Sequence, residues 1–319
     1  MSATILKLVA QRVALGIVLL LAVSVLIFVG TQILPGDVAA SILGQSATPE
    51  AVANLRQELG LNDPAYVRYF RWLGGVLTGD LGKALSSGQD IASSLGGRLW
   101  NTLFLAFWAA VVSVPLAIIL GLIAVRYRNG FVDKLISGLA LASTSLPEFF
   151  IGYLLVYFFA VKWQIFPGIS TVYEGMPFIE RMQAIALPAT ALTLVVLAHM
   201  MRMTRAAILN VMQSAYIETA ELKGLRPIEI IRRHAFPNAI APIINVVMLN
   251  LAYLIVGVVV IEVIFVYPGM GQYLVDHVAK RDVPVVQAVG LIFAAVYIGL
   301  NIIADIAAIV ANPRLRHPK

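Results

Sequence analysis

The 319-residue chain has no cysteine, which excludes disulfides and thiolate metal sites alike. Histidine is scarce as well: His199, His234, His277 and His317 are scattered, so no His-rich metal site is expected. Charge is the third shortage. Only 13% of the residues are Asp, Glu, Lys or Arg while 60% are hydrophobic, and the mean hydropathy is +0.88. That balance belongs to a polytopic membrane protein and not to a soluble domain. No internal repeat or low-complexity segment stands out, and the lack of an inverted repeat argues against many secondary-transporter folds. A phosphate loop is missing too. Gly79-Asp80-Leu81-Gly82-Lys83-Ala84 looks superficially like one, but Leu77 stands where the first glycine is required and Ala84 where Ser or Thr is required.

Long apolar runs are what the sequence has in abundance. They cover residues 13–34, 103–125, 135–161, 185–201, 240–266 and 283–310, which predicts six spanning helices. The first follows Lys7 and Arg12 and stops at Leu34-Pro35-Gly36-Asp37. A signal peptide is the competing reading, but its apolar core is about 7 to 15 residues, shorter than this run. The third run contains Pro147 and Glu148 and is long enough to span with tilt or a kink. Residues 36–100 are polar, contain Pro49, Pro64 and several glycines, and show helical patterning over 49–59 and 64–77, which predicts an extramembrane segment.

The formal charge of +6 invites a nucleic-acid reading, but basic residues in a membrane protein more often report orientation. With the N-terminus placed in the cytoplasm, 14 of the 23 Lys and Arg fall on inside segments, and five of the remainder lie in the long first loop, where the rule is weak. Both termini are then cytoplasmic, and so is the polar stretch between the fourth and fifth runs.

That stretch, Asn210 to Pro237, reads as two short helices joined by a turn. Ser214 can cap the first helix, Gly224 can take the left-handed conformation that ends it with Leu225 as the following apolar contact, and Pro227 can open the second. A helix of roughly ten residues is marginal alone, so it needs a surface, either the chain's own membrane core or another protein. Glu218, Thr219 and Ala220, then Gly224 six residues after Glu218, then Pro237 thirteen after Gly224, resemble the coupling motif of ABC-importer permeases: Glu-Ala-Ala, three residues, Gly, nine residues, Ile-x-Leu-Pro. Thr219, His234 and Phe236 depart from it, the last two in a way similar to the peptide branch, where a basic segment such as Arg232-Arg233-His234-Ala235-Phe236-Pro237 is common.

Other pieces extend the resemblance over nearly the whole chain. Leu34-Pro35-Gly36-Asp37, the run from Glu58-Leu59-Gly60-Leu61 to Tyr69-Phe70-Arg71-Trp72, and Thr78-Gly79-Asp80-Leu81-Gly82 resemble the B subunit of that branch. So do Glu262 with the tight turn Pro268, Gly269 and Gly271, the segment Arg281 to Gln287, and Asn312-Pro313-Arg314-Leu315-Arg316. The resemblance is to the dipeptide/oligopeptide permease B subunits of binding-protein-dependent ABC importers, a group that also includes nickel, opine, glutathione and oligosaccharide carriers.

It implies an all-α membrane protein with the type I importer permease fold: one permease domain over 1–319, a periplasmic segment over 36–100, and a cytoplasmic coupling loop over 206–239. It further implies a multi-pass subunit of the bacterial inner membrane, not an enzyme, working with a homologous second permease, two ATPases that bind ATP and Mg, and a periplasmic binding protein. No cofactor or metal is expected on this chain, and no nucleic acid. In the coupling helix Ala220 and Gly224 would be small for close approach to an ATPase groove, with Glu218 as anchor and Arg226, Arg232 and Arg233 facing acidic residues.

Three acids, Glu148, Glu262 and Asp305, lie within apolar runs, where an ionisable group marks either function or a structural partner. A proton relay would make the chain an ion-coupled transporter. Ser143, Thr144, Ser145, Asn250, Tyr253 and Asn301 are candidates for a polar pathway, although interhelical hydrogen bonds explain them equally well.

Overall fold

The computed structural model describes residues 3–33 and 37–311. The Leu34-Pro35-Gly36 stop and the closing Asn312 to Arg316 segment lie outside the described residues. Helices make up nearly all of the ordered structure, and among the described residues the only extended pairing is a single bridge between Lys83 and Asp90.

The first spanning helix, α1, is Ala3–Ile33. Three short helices follow: α2 (Val38–Leu43), α3 (Pro49–Glu58) and α4 (Ala65–Thr78). The expected patterning at 49–59 and 64–77 is therefore realised. Its causes are local: Asp37 accepts the Ala39 and Ala40 N–H groups, Thr48 accepts from Ala51 with Pro49 in the first turn, and Gly79 closes α4 at φ +84°. The next spanning helix, α5, is Ile91–Arg126. After it come α6 (Phe131–Ser145), α7 (Glu148–Leu155) with a π-helical continuation Val156–Lys162, and α8 (Phe178–Met212). The chain ends with α9 (Ala215–Leu222), α10 (Pro227–Ile230), α11 (Phe236–Ile264), α12 (Met270–Ala279) and α13 (Val283–Ala311).

Five helices among the described residues are long and apolar enough to cross a bilayer unbroken, and α6 with α7 and its continuation forms a sixth apolar segment, a broken pair bent by 102°. The third run is thus not the tilted or kinked helix that its length suggested. Leu146 is extended at φ −92°, ψ 134°, as a residue before proline prefers, and the Thr144 and Ser145 hydroxyls bond back to the Leu141 carbonyl. At about 1.5 Å per residue the 15 residues of α6 cannot cross a core of about 30 Å alone. Pro115, Pro188 and Pro242 sit inside helices that stay continuous. With 35 residues, α8 is longer than a membrane core requires, so the apolar run at 185–201 marks only its middle.

The chain forms two compact units, and the division falls inside α1, α5 and α13. One comprises residues 1–14, 103–267 and 299–319. Its centre is α8, which packs on α6, α7 and α11 and buries Ile185, Leu192, Met200, Met201 and Ile208. The other comprises residues 15–102 and 268–298. There α4 leans on α1 through Phe28, Tyr69 and Trp72, with the Ser24 and Tyr69 hydroxyls 2.9 Å apart. A second cluster joins Ala84, Ile91 and Leu95 to Met270, Tyr273 and Val285.

Candidate functional site

The polar stretch folds against its own chain. Ile217 and Ala220 of α9 are buried in a cluster with Val125 of α5, Ile208 of α8, and Ile230, Ile231, Ala235, Ala239 and Ile243. Of the two surfaces open to this helix in the sequence, the membrane core holds one face. The opposite face, with Tyr216, Glu218, Thr219, Leu222 and Lys223, is exposed, and Leu222 is 83% accessible.

The turn after α9 has the expected chemistry. Gly224 is left-handed at φ +75°, the Leu225 N–H bonds the Ala220 carbonyl, and the Gly224 N–H bonds the Glu221 carbonyl, which together form a Schellman motif. Leu225 packs on the cluster and Pro227 opens α10. Ser214 holds the N-cap position, but its side chain makes no capping hydrogen bond.

Two expectations change. Ala220 points into the chain's own core, so its size is set there rather than by an external groove. The second short helix is not separate, since 227–264 is continuous through a π segment at Ile231–Ala235. The wider π turn accommodates Pro237, which lacks an N–H and would press on the Arg233 carbonyl in a regular helix. The basic residues divide accordingly: Arg233 pairs with Glu229 at 2.6 Å, while Arg226 and Arg232 are exposed and His234 is half-buried, its carbonyl taken by the Asn238 side chain.

A cavity of about 460 Å³ lies in the same unit, between the α6/α7 break, α8 and α11. Ser143, Thr144, Glu148, Asn250 and Tyr253 all line it, so five of the expected pathway residues meet in one place. The Tyr253 hydroxyl donates to Glu148 at 3.1 Å, and Glu148 opens α7, where a helix N-terminus favours a carboxylate. A Cβ on Gly257 would sit 3.5 Å from that carboxylate, an ordinary contact, so α11 passes directly beside it. Ser143 donates to the Leu194 carbonyl and Asn250 to the Val246 carbonyl, bonds that leave their side-chain oxygens able to accept. His199 also lines it, and scattered histidines gave no reason to single it out.

Glu262, Asn301 and Asp305 are not among the cavity's lining residues. Glu262 is fully buried near the end of α11, and Asp305 pairs with Arg12 at 3.0 Å. The Pro268 turn is held by the Asn101 side chain on the Pro268 carbonyl and by the Thr102 hydroxyl, which accepts from Met270. Gly269 caps α12 in an extended conformation and Gly271 is already inside that helix. The left-handed residue at this corner is Val266, at φ +50°, so the break does not rest on a glycine. Beside it Tyr267 is fully buried, and burial pushes its phenol up despite a hydrogen bond with Arg181.

One feature that sequence spacing could not reveal is a buried clamp. Arg205 of α8 holds Asp133 of α6 through Nε at 2.9 Å and Nη2 at 2.8 Å, and the Asn129 N–H at 3.0 Å and the Ser137 hydroxyl at 3.3 Å also donate to the carboxylate. The clamp anchors the first half of the broken pair.

Comparison with known proteins gives these features a family. Residues 113–317 match the model of the binding-protein-dependent transport system inner membrane component, and residues 5–105 match its N-terminal companion. A putative peptide transport system permease of Brucella abortus is 36% identical over 97% of this chain and 99% of its own length. A probable peptide ABC transporter permease of Sinorhizobium fredii is 34% identical over 96% of this chain and 98% of its own. A glutathione transport system permease of Escherichia coli is 33% identical over 92% and 94%. The chain therefore belongs to the family of binding-protein-dependent transport system inner membrane components, as a multi-pass permease subunit with the type I ABC fold.

Proposed function

We propose that the chain is the B-type permease of an ATP-driven importer that passes peptides from a binding protein into the cytoplasm. Peptide is the cargo named for two of the relatives, and glutathione, named for the third, is itself a short peptide. A homologous second permease would close the pathway, two ATPases would bind ATP and Mg, and the segment over 36–100 would face the periplasmic binding protein. Both termini and the loop over 206–239 are cytoplasmic in this reading.

The observation that carries it is the two-faced α9. One face is fixed to α5, α8 and α11 by Ile217 and Ala220, while the other offers Tyr216, Glu218 and Leu222. A short helix gripped on one side, with Tyr216 and Leu222 beside Glu218 and Lys223 on the other, suits a partner's groove. Movement of an ATPase on the free face would be conveyed through the shared cluster to three spanning helices. The cavity around Glu148, Tyr253 and Asn250 is where the pathway would pass.

Purifying the tagged chain from its native membrane in mild detergent, with mass spectrometry of what accompanies it, tests the assembly. A second permease and ATPase subunits are expected. A chain that stays alone, under conditions that keep another importer of this family intact, contradicts the reading.

A further inference from the structure

A second cavity, of about 650 Å³, lies in the unit formed by residues 15–102 and 268–298. Arg56, Arg68, Arg71, Lys83 and Arg281 line it, against only Asp37 and Asp80. Arg56 is paired with Asp37 at 2.7 Å and Arg71 with Asp63 at 2.8 Å. The Asp80 carboxylate accepts the Gly82 N–H at 2.9 Å. Asp80 and the neighbouring Asp282 accept only backbone N–H groups and keep their charges, so Arg68, Lys83 and Arg281 face two carboxylates and leave a net excess of one positive charge.

Two donors in the wall are buried without an acceptor among the described residues: the Arg68 Nε and, one helical turn along α4, the Trp72 Nε1. Both groups can only donate, and a buried donor left without an acceptor is costly.

The wall is fixed from inside. Asp282, 1% exposed, accepts the Leu85 and Ser86 N–H groups at 3.1 and 2.9 Å, which ties the Lys83 loop to the residue after Arg281. Gln287 of α13 donates to Thr31 of α1 at 2.8 Å in a buried contact.

The membrane side of the cavity is α1. Phe28, Thr31 and Gln32 line it, Trp72 stacks on Phe28, and Leu26 and Ile33 are 70% and 74% exposed. We propose that this cavity binds the phosphate headgroup of an anionic phospholipid, with the acyl chains along the apolar face of α1. The phosphodiester oxygens accept from Arg68 and Trp72 and carry the charge that Lys83 and Arg281 face. Phe28 and Trp72 mark the level of the membrane interface. The proposal does not depend on the cargo.

The test uses the full chain in mild detergent, with native mass spectrometry after titration by dihexanoyl phosphatidylglycerol, dihexanoyl phosphatidylcholine or inorganic phosphate. Lys83 and Arg281 are exposed, so Lys83→Gln with Arg281→Gln leaves the fold in place, which circular dichroism confirms. Retention of phosphatidylglycerol is expected, weakened at least about tenfold in that double variant and unchanged in Arg128→Gln, which removes a charge elsewhere. Equal retention of phosphatidylcholine, stronger binding of inorganic phosphate than of the lipid, or a double variant that binds like the parent overturns it.

Discussion

Asp133 and Arg205 show what a single residue contributes to this fold. The carboxylate is almost fully buried and satisfied by a bidentate guanidinium, so removing only the cation strands a buried charge. Arg205→Met is expected to destabilise the permease by about 3 to 5 kcal/mol, and Arg205→Met with Asp133→Leu to recover much of the loss, as read from thermal unfolding in detergent. Failure of the double variant to recover stability would show that the clamp is not a closed pair. At Glu148 the chemistry is different: the carboxylate lines a cavity and takes one hydrogen bond from Tyr253. Glu148→Gln is expected to lower uptake about tenfold with membrane abundance unchanged. Unchanged uptake would remove Glu148 from the pathway.

At the scale of elements, α9 and the turn after it govern the functional reading. Gly224 is left-handed, and a Cβ there would meet nothing within 4 Å, so conformation rather than crowding within the chain requires glycine. Gly224→Asn, which tolerates this conformation, is expected to keep transport, whereas Gly224→Val is expected to lose it by displacing Leu225. If a tight external groove sets the requirement instead, both variants fail. Ile217→Ala is expected to cost about 2 to 5 kcal/mol of stability, while Leu222→Asp is expected to leave stability unchanged and uncouple ATP hydrolysis from uptake.

Much of this was legible in the sequence, because Gly224, Leu225 and Pro227 act within a few residues of themselves, and so does the patterning over 49–59 and 64–77. At Pro147 a kink was open to the sequence but the size of the break was not, because Pro115, Pro188 and Pro242 leave their helices intact. Asp133 and Arg205 are 72 residues apart, and nothing in their spacing pairs them. Ala220 was read through the resemblance as meeting an outside partner, and a motif does not show which surface covers a residue, here the chain's own cluster.

For the whole molecule, the six apolar runs correspond to five continuous helices and one broken pair, and matches over nearly the entire chain place it in one family of importer permeases. Three acids within apolar runs allowed an ion-coupled alternative, yet they occupy three different surroundings: a cavity of mixed lining for Glu148, complete burial for Glu262 and an ion pair with Arg12 for Asp305. The central claim is that the exposed face of α9 meets the ATPase. The chain has no native cysteine, so Leu222→Cys introduces a unique point for a thiol-attached photo-crosslinker, with Leu77→Cys, at an equally exposed position on α4, as control. Irradiation in native membranes followed by mass spectrometry should join an ATPase subunit to position 222 and not to 77. Absence of an ATPase adduct at 222 in membranes that support ATP-driven uptake, or equal adducts at both positions, would contradict the claim.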